Sequence, residues 1–312
     1  YKELHFHDTI AETKAMMDLI DEIKPKFIYS LHNAGFGGVY WYITGETEEI
    51  YEDLRNAAKK QGIPLNLGEP EAPYCVAYSD AIYQDLGIQQ NYDYLEKYGV
   101  KNPGEVIKVG TCSSDYGKKV CNAFTLLTEL PYFYDKRIAD LSPADITRKE
   151  AVLKNLEFSE KENIFIRDIL NNTKKYMADN NPFKLALEAF TDSDDDNEAT
   201  RKMIEEDPNF AKMATVAEKF DNLLISRFYK TLSLGLLVRA HEVELEKMEE
   251  TKENNPEKKE ALEEAYNVSL DRLKSLSEVL EREIDYEVVP IKKLISIQLE
   301  CGLIVADYLN RN

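Results

Sequence analysis

Two short apolar runs, Phe27 to Leu31 and Val39 to Ile43, flank a histidine, His32, and a bend carrying Gly35, Gly37 and Gly38. Brief apolar runs closed by glycine read as strands. The near-continuous run Phe27–Leu31 fits a strand buried on both faces of a parallel sheet. A helical pattern precedes it. Thr9 and Glu12 have capping-box spacing ahead of a stripe of Met16, Leu19, Ile20 and Ile23, and Pro25 ends that helix. Glu46 to Lys60 reads as a second helix closed by Gly62 and Pro64. Val106 to Val109 and Phe124 to Leu130 read as further strands. This alternation predicts an α/β class for residues 1–140, a mixed sheet with flanking helices.

From about residue 141 the pattern predicts an acidic, all-α helical domain extending to residue 312. Ser142-Pro143-Ala144-Asp145 reads as a helix entrance. Helical patterns run through Leu170 and again from Lys212 to Met248. Asn254-Asn255-Pro256 is a turn between two long charged helices, an antiparallel hairpin. Pro290 opens a last helix, whose Ile291, Leu294, Ile295, Ile297, Leu299, Leu303 and Ile304 predict burial against that hairpin.

Composition narrows the function. A formal net charge of −19 repels nucleic acid and anionic membrane surfaces. An apolar fraction of 43% suffices for a core. No run of 18 apolar residues and no signal peptide is visible, so a cytoplasmic location is expected. Cys75, Cys112, Cys121 and Cys301 have no CxxC spacing and read as a buried, reduced set, with a Cys112–Cys121 bridge as the alternative. Asp192 to Asn197 resembles a calcium loop, but Asn197 replaces the glycine of the sixth position and Met203 the glutamate of the twelfth. A solvated acidic loop is expected there.

Chemistry concentrates at two strand ends. His32 follows the first apolar run, where ligands of α/β sheets gather, and the glycine bend allows backbone to pass close to something bound. A core imidazole bonded to backbone is the alternative. Thr125-Leu-Leu-Thr128-Glu129-Leu130 ends a strand in a carboxylate. Burial disfavours the charged form of such a group and tunes it as a general base. An ion pair, or exposure beyond the sheet edge, is the alternative for Glu129.

Three motifs together carry a resemblance. Ile28-Tyr-Ser-Leu-His32-Asn33 resembles the strand bearing the last zinc ligand of the zinc carboxypeptidases, the carboxypeptidase A-like metallopeptidases. Phe124-Thr-Leu-Leu-Thr-Glu129-Leu resembles that family's strand bearing the catalytic glutamate. Gly110-Thr-Cys-Ser-Ser114-Asp115-Tyr116 resembles the loop flooring the pocket for the substrate's terminal side chain, and Asp115 precedes Glu129 by 14 positions. The match covers roughly Thr9 to Asp135, part of that family's α/β/α sandwich.

The resemblance implies a zinc-dependent hydrolase that removes C-terminal residues from peptides or related amides. His32 would be a metal ligand and Glu129 the base that takes the proton of zinc-bound water. Asn33, Ser114, Asp115 and Tyr116 would bind substrate, the small neutral Ser114 disfavouring strongly basic terminal residues. The family draws its other two zinc ligands from an upstream HxxE motif, and this sequence has none. His5, His7 and Asp8 are a weak substitute. The expectation is therefore an upstream segment of the same protein that completes the zinc site. The alternative is a non-catalytic relative or interaction protein whose helical half is the binding or assembly module.

Overall fold

The computed structural model describes residues 1–4, 9–107, 109–191 and 194–311. Its first part runs α1 (Ala11–Ile23), β1 (Phe27–Phe36), β2 (Tyr40–Ile43), α2 (Tyr51–Lys60), β3 (Ala77–Ser79), β4 (Ile82–Gln84), α3 (Ile88–Lys97), α4 (Pro103–Val106), α5 (Ser113–Cys121) and β5 (Phe124–Tyr134). The second part runs β6 (Pro143–Thr147), α6 (Arg148–Thr173), α7 (Pro182–Phe190), α8 (Asp194–Glu206), β7 (Met213–Thr215), α9 (Val216–Phe220), α10 (Ser226–Thr251), α11 (Pro256–Glu283), β8 (Glu287–Val288) and α12 (Ile291–Arg311). The fold is mixed α/β: a mixed sheet with flanking helices, followed by a largely helical region.

The sheet has the order β1-β5-β2-β4-β3, with β8 paired to the end of β5. β5 runs parallel to β1 and antiparallel to β2. Its alternation explains its place. Leu126 and Leu130 are fully buried and share one core cluster with Trp41, Ile43 and Leu54 of β2 and α2 and with Leu294, Ile297, Cys301 and Val305 of α12. Glu129 falls on the opposite parity.

Several expectations change here. Among the described residues β1 is an edge strand rather than a strand buried on both sides, and Leu31, His32 and Asn33 are exposed. An apolar run reports low polarity, not the number of neighbours a strand acquires. The stripe on α1 is likewise largely exposed: only Ile20 is buried, while Met16, Leu19 and Ile23 face solvent. The expected capping box does not form, because the helix starts one residue late for it. Its N-cap is Ile10, without a side-chain cap. Val106, Ile107 and Val109 are not in a strand. Pro103, suited to a helix's first position, opens the short helix α4 instead.

The second part is not purely helical. β6 and β7 pair as a two-stranded sheet, so Ser142–Asp145 leads into a strand. Helix α6 starts later, at a true capping box of Thr147 and Glu150. The turn at Asn254–Pro256 is as expected: Asn255 caps α11, accepting from the Lys258 backbone N–H. Helix α12, however, packs on α2, β5 and β1 rather than on the charged hairpin. Its Leu294, Ile297, Cys301 and Val305 complete the sheet's core, and that core is apolar where the hairpin's outer faces are charged.

All four cysteines are free, with no Cys112–Cys121 bridge. Only Cys301 is buried, and Cys112 is exposed. No helix of the described residues is long and apolar enough to cross a membrane. His5, His7 and Asp8, and the acidic stretch beginning at Asp192, lie outside the described residues or their described side chains.

The glycine bend serves packing of the chain on itself. A Cβ at Gly38 would lie 2.3 Å from the Asn66 backbone nitrogen and 2.4 Å from the Leu65 carbonyl carbon. Both belong to the segment that bridges to Val39. Gly38→Ala therefore forces backbone apart and is expected to destabilise the protein by roughly 3 kcal/mol or more. Urea denaturation of the variant checks this, and an unchanged midpoint would contradict the packing.

Candidate active site at the Glu129 strand

The central strand brings the two principal residues together. His32 of β1 and Glu129 of β5 are direct register partners, and Tyr40 of β2 is the partner of Glu129 on its other side. Residues paired across strands project to the same face. His32 Nδ1 lies 3.1 Å from Glu129 Oε1. The histidine side chain is half-exposed, whereas Glu129 is only 7% exposed. Its second oxygen, Oε2, is buried without a hydrogen-bond partner. Burial pushes the Glu129 carboxyl up to about 7, and the charge of Glu71 adds to the effect.

Glu129 lines a cleft of about 560 Å³ between the sheet and the helical region. Asn33, Tyr40 and Tyr132 come from the strands and bends around it, and Glu69 and Glu71 from the segment after α2. Asp221, Asn222, Ser226 and Tyr229 come from the helical side. A π-helical turn over Asp221–Ile225, inserted between α9 and α10, carries Asp221 and Asn222 to the cleft. Such single π turns re-aim side chains and occur often at functional sites.

The polar groups are tied together in steps. Arg148 makes a bidentate pair with Glu69, at 2.9 and 2.6 Å, and Asn222 donates to Glu69 from 3.2 Å. The Glu69 backbone N–H donates to Asp221 Oδ2 at 2.8 Å. Glu71 accepts from the hydroxyls of Tyr42 at 3.0 Å and Tyr40 at 3.4 Å. Tyr229 donates to the Ala34 and Phe36 carbonyls, tying the end of β1 to α10. Burial, with the Glu69 charge beside it, lifts the Asp221 carboxyl to about 7. Desolvation also raises the Tyr229 phenol, to about 12.

Of the residues expected to bind substrate, Asn33 lines this cleft and gives its amide N–H to the Leu130 carbonyl at 3.1 Å. Ser114, Asp115 and Tyr116 do not line it. They form the start of α5. Ser114 is buried beside Cys112, Asp115 accepts from Thr111, and Tyr116 donates to Asp21 of α1. Asp85, Cys112 and Asp115 bring three possible donor atoms within 4.8 Å of one another, the one such group among the described residues. It includes neither His32 nor Glu129.

Glu69, Glu71, Asp221 and Tyr229 were not visible as site residues in the sequence. Asp221 and Tyr229 sit in an ordinary amphipathic helix pattern, and the extra residue of a π turn leaves no compositional mark. Glu69 and Glu71 sit in a Gly-Glu-Pro-Glu loop indistinguishable from a solvated one.

No protein-family model, curated protein or solved structure matches the chain.

Asp221 carries a pH signature. Its carboxyl titrates near 7 when folded and near 3.8 when unfolded. Between those values the folded chain keeps a proton the unfolded chain has lost. Stability from this group is thus complete below about pH 4 and falls as pH rises through about 7. Asp221→Asn retains an acceptor for the Glu69 N–H and is expected to be more stable than the parent by roughly 2–4 kcal/mol at pH 8, with no gain near pH 4. Denaturation curves at the two pH values check this. A pH-independent difference would refute it.

Proposed function

We propose that the protein is a zinc-dependent, metallocarboxypeptidase-like hydrolase acting on the C-terminal residue of a peptide or related amide, with Glu129 as general base. The observation that carries this reading is the His32–Glu129 pair: an imidazole and a buried carboxylate on adjacent strands, 3.1 Å apart, with Glu129 Oε2 unpartnered at a cleft.

The donor set fits zinc only in part. Catalytic zinc takes three protein ligands and leaves a position open. His32 supplies one, and the described residues place no further nitrogen or thiolate donor beside it. We assign the other two donors to a segment outside the described residues. The edge supports this assignment. β1 has no partner on its outer side among the described residues. Apolar side chains are also exposed on the helices, Met16, Leu19 and Ile23 on α1 and Ile295, Leu299 and Leu303 on α12, which packs on β1. An open sheet edge and exposed apolar side chains are surfaces that chains ordinarily cover.

Zinc, when bound, polarises the carbonyl and lowers the pKa of water to ≈ 7. The chain's own contribution is proton handling. Glu129 lines the cleft, and its carboxylate would accept the proton of an attacking water and return it to the leaving amine nitrogen. A carboxyl held near 7 is basic enough for that exchange at neutral pH. His32 holds the opposite carboxylate oxygen, which fixes the direction in which Oε2 points.

The test is Glu129→Gln in the full-length protein, which keeps the shape and removes the base. Turnover of C-terminal peptide or amide substrates is expected to fall at least ~10³-fold, with bound zinc unchanged by elemental analysis. Unchanged turnover removes Glu129 from the role. A full-length protein purified without chelators that neither contains nor takes up zinc favours the non-catalytic interaction protein.

A further inference from the structure

A second pocket lies where the C-terminal ends of β1 and β5 meet α10 and α11, and its walls are aromatic. Phe36 and Phe133 are register partners and so present their rings on one face of the sheet. Phe228 of α10 and Tyr286, just after α11, bring two more rings. Leu280 and Ile284 complete the apolar lining. The space measures about 220 Å³ and shares only Phe36 with the lining of the Glu129 cleft.

The four rings are not stacked flat on one another. Phe133 and Tyr286 sit edge to face, 5.7 Å apart at 87°, and Phe36 and Phe228 are tilted by 48° at 5.5 Å. Such angles leave ring faces uncovered by their partners. Tyr286 keeps 43% of its surface exposed, so the lining is not a closed core. One charged residue lines the pocket, Glu281. Ser277, Glu281 and Ile284 recur at helical spacing along the end of α11 and its C-cap, which sets them on one side. Among the described residues no cation pairs with Glu281, and none lines the pocket.

We propose that this pocket binds a quaternary or methylated ammonium group. Charge and lining agree on that class. A metal ion needs several converging oxygen ligands, and here one carboxylate stands amid hydrocarbon. An anion meets a carboxylate of its own sign. A neutral apolar molecule leaves that carboxylate unused. A methylated ammonium offers its methyl groups to the rings and its charge both to the ring faces and to Glu281. The volume, about 220 Å³, exceeds the ~150 Å³ of an apolar cavity that takes a benzene-sized guest. The formal net charge of −19 also draws cations toward the surface of the chain. The site stands apart from the hydrolase reading, since neither Glu281 nor Tyr286 lines the Glu129 cleft.

The probes are choline and its uncharged isostere 3,3-dimethylbutan-1-ol, in which carbon replaces the nitrogen. In ligand-observed NMR titrations of the full-length protein at low salt, choline is expected to bind at least ~10-fold more tightly than the alcohol. Glu281→Gln keeps the shape and removes the charge. Tyr286→Leu keeps an apolar side chain and removes a ring. Both residues are exposed, so neither change takes a side chain from the core. Each is expected to weaken choline ~3–10-fold and to leave the alcohol within ~2-fold. Equal affinity for the two probes, or no saturable binding of choline, overturns the proposal. So does parental choline affinity in the Glu281→Gln, Tyr286→Leu double variant, which would put the cation in the acidic cleft beside Glu129 instead.

Discussion

A carboxylate held inside a β-sheet is the constraint on which the rest of this molecule turns. Glu129 lies on the central strand, with β1 on one side and β2 on the other. Each neighbour supplies a polar residue at its level, His32 on one side and Tyr40 on the other. The alternate residues of the same strand, Leu126 and Leu130, are wholly buried in the core shared with α2 and α12. The apolar half of β5 therefore fixes the strand, and period-2 geometry then holds Glu129 where water is scarce. The energy of that core offsets the cost of desolvating the carboxyl.

The opposite wall of the cleft solves a second problem of alignment. A regular helix from Val216 to Thr251 would present a uniform set of side chains to the sheet. The π turn at Asp221–Ile225 interrupts it and carries Asp221 toward Glu69. The close approach is visible at Gly68, where a Cβ would lie 2.4 Å from Asp221 Oδ2. Arg148, from the start of α6, ties Glu69 in place and stacks on Phe210. Sheet, loop and two helices thus meet around one acidic space, with the fixed cation on its outer side.

Much of the secondary structure was legible, because it follows local rules. The strands around Phe27, Val39 and Phe124, the helix ending at Lys60, the Asn255 cap and the last helix after Pro290 all stand where pattern and punctuation put them. The reading faltered where local patterns are ambiguous. Val106 to Val109 is too short to tell strand from turn, and Pro103 decided it. Thr9 has the chemistry of a cap but sits one residue too early. At the site, His32 and Glu129 were legible as unusual residues after apolar runs, but neither ends its strand as expected: β1 continues to Phe36 and β5 to Tyr134. Glu71, Asp221 and Tyr229 were not, since nothing in their neighbours distinguishes them from surface residues.

The amino-acid sequence by itself determined the element types and the chemical outliers, an imidazole and a carboxylate each set in an apolar strand. It did so because propensity, capping and periodicity act over a few residues. Only the tertiary structure decided that β1 is an edge and β5 the centre, that α12 crosses back to cover the sheet, and that Glu71, Glu129 and Asp221 share one cleft with no cation among them. Strand partners, burial and electrostatic balance are set by residues far apart in the chain, and no short window along it contains them.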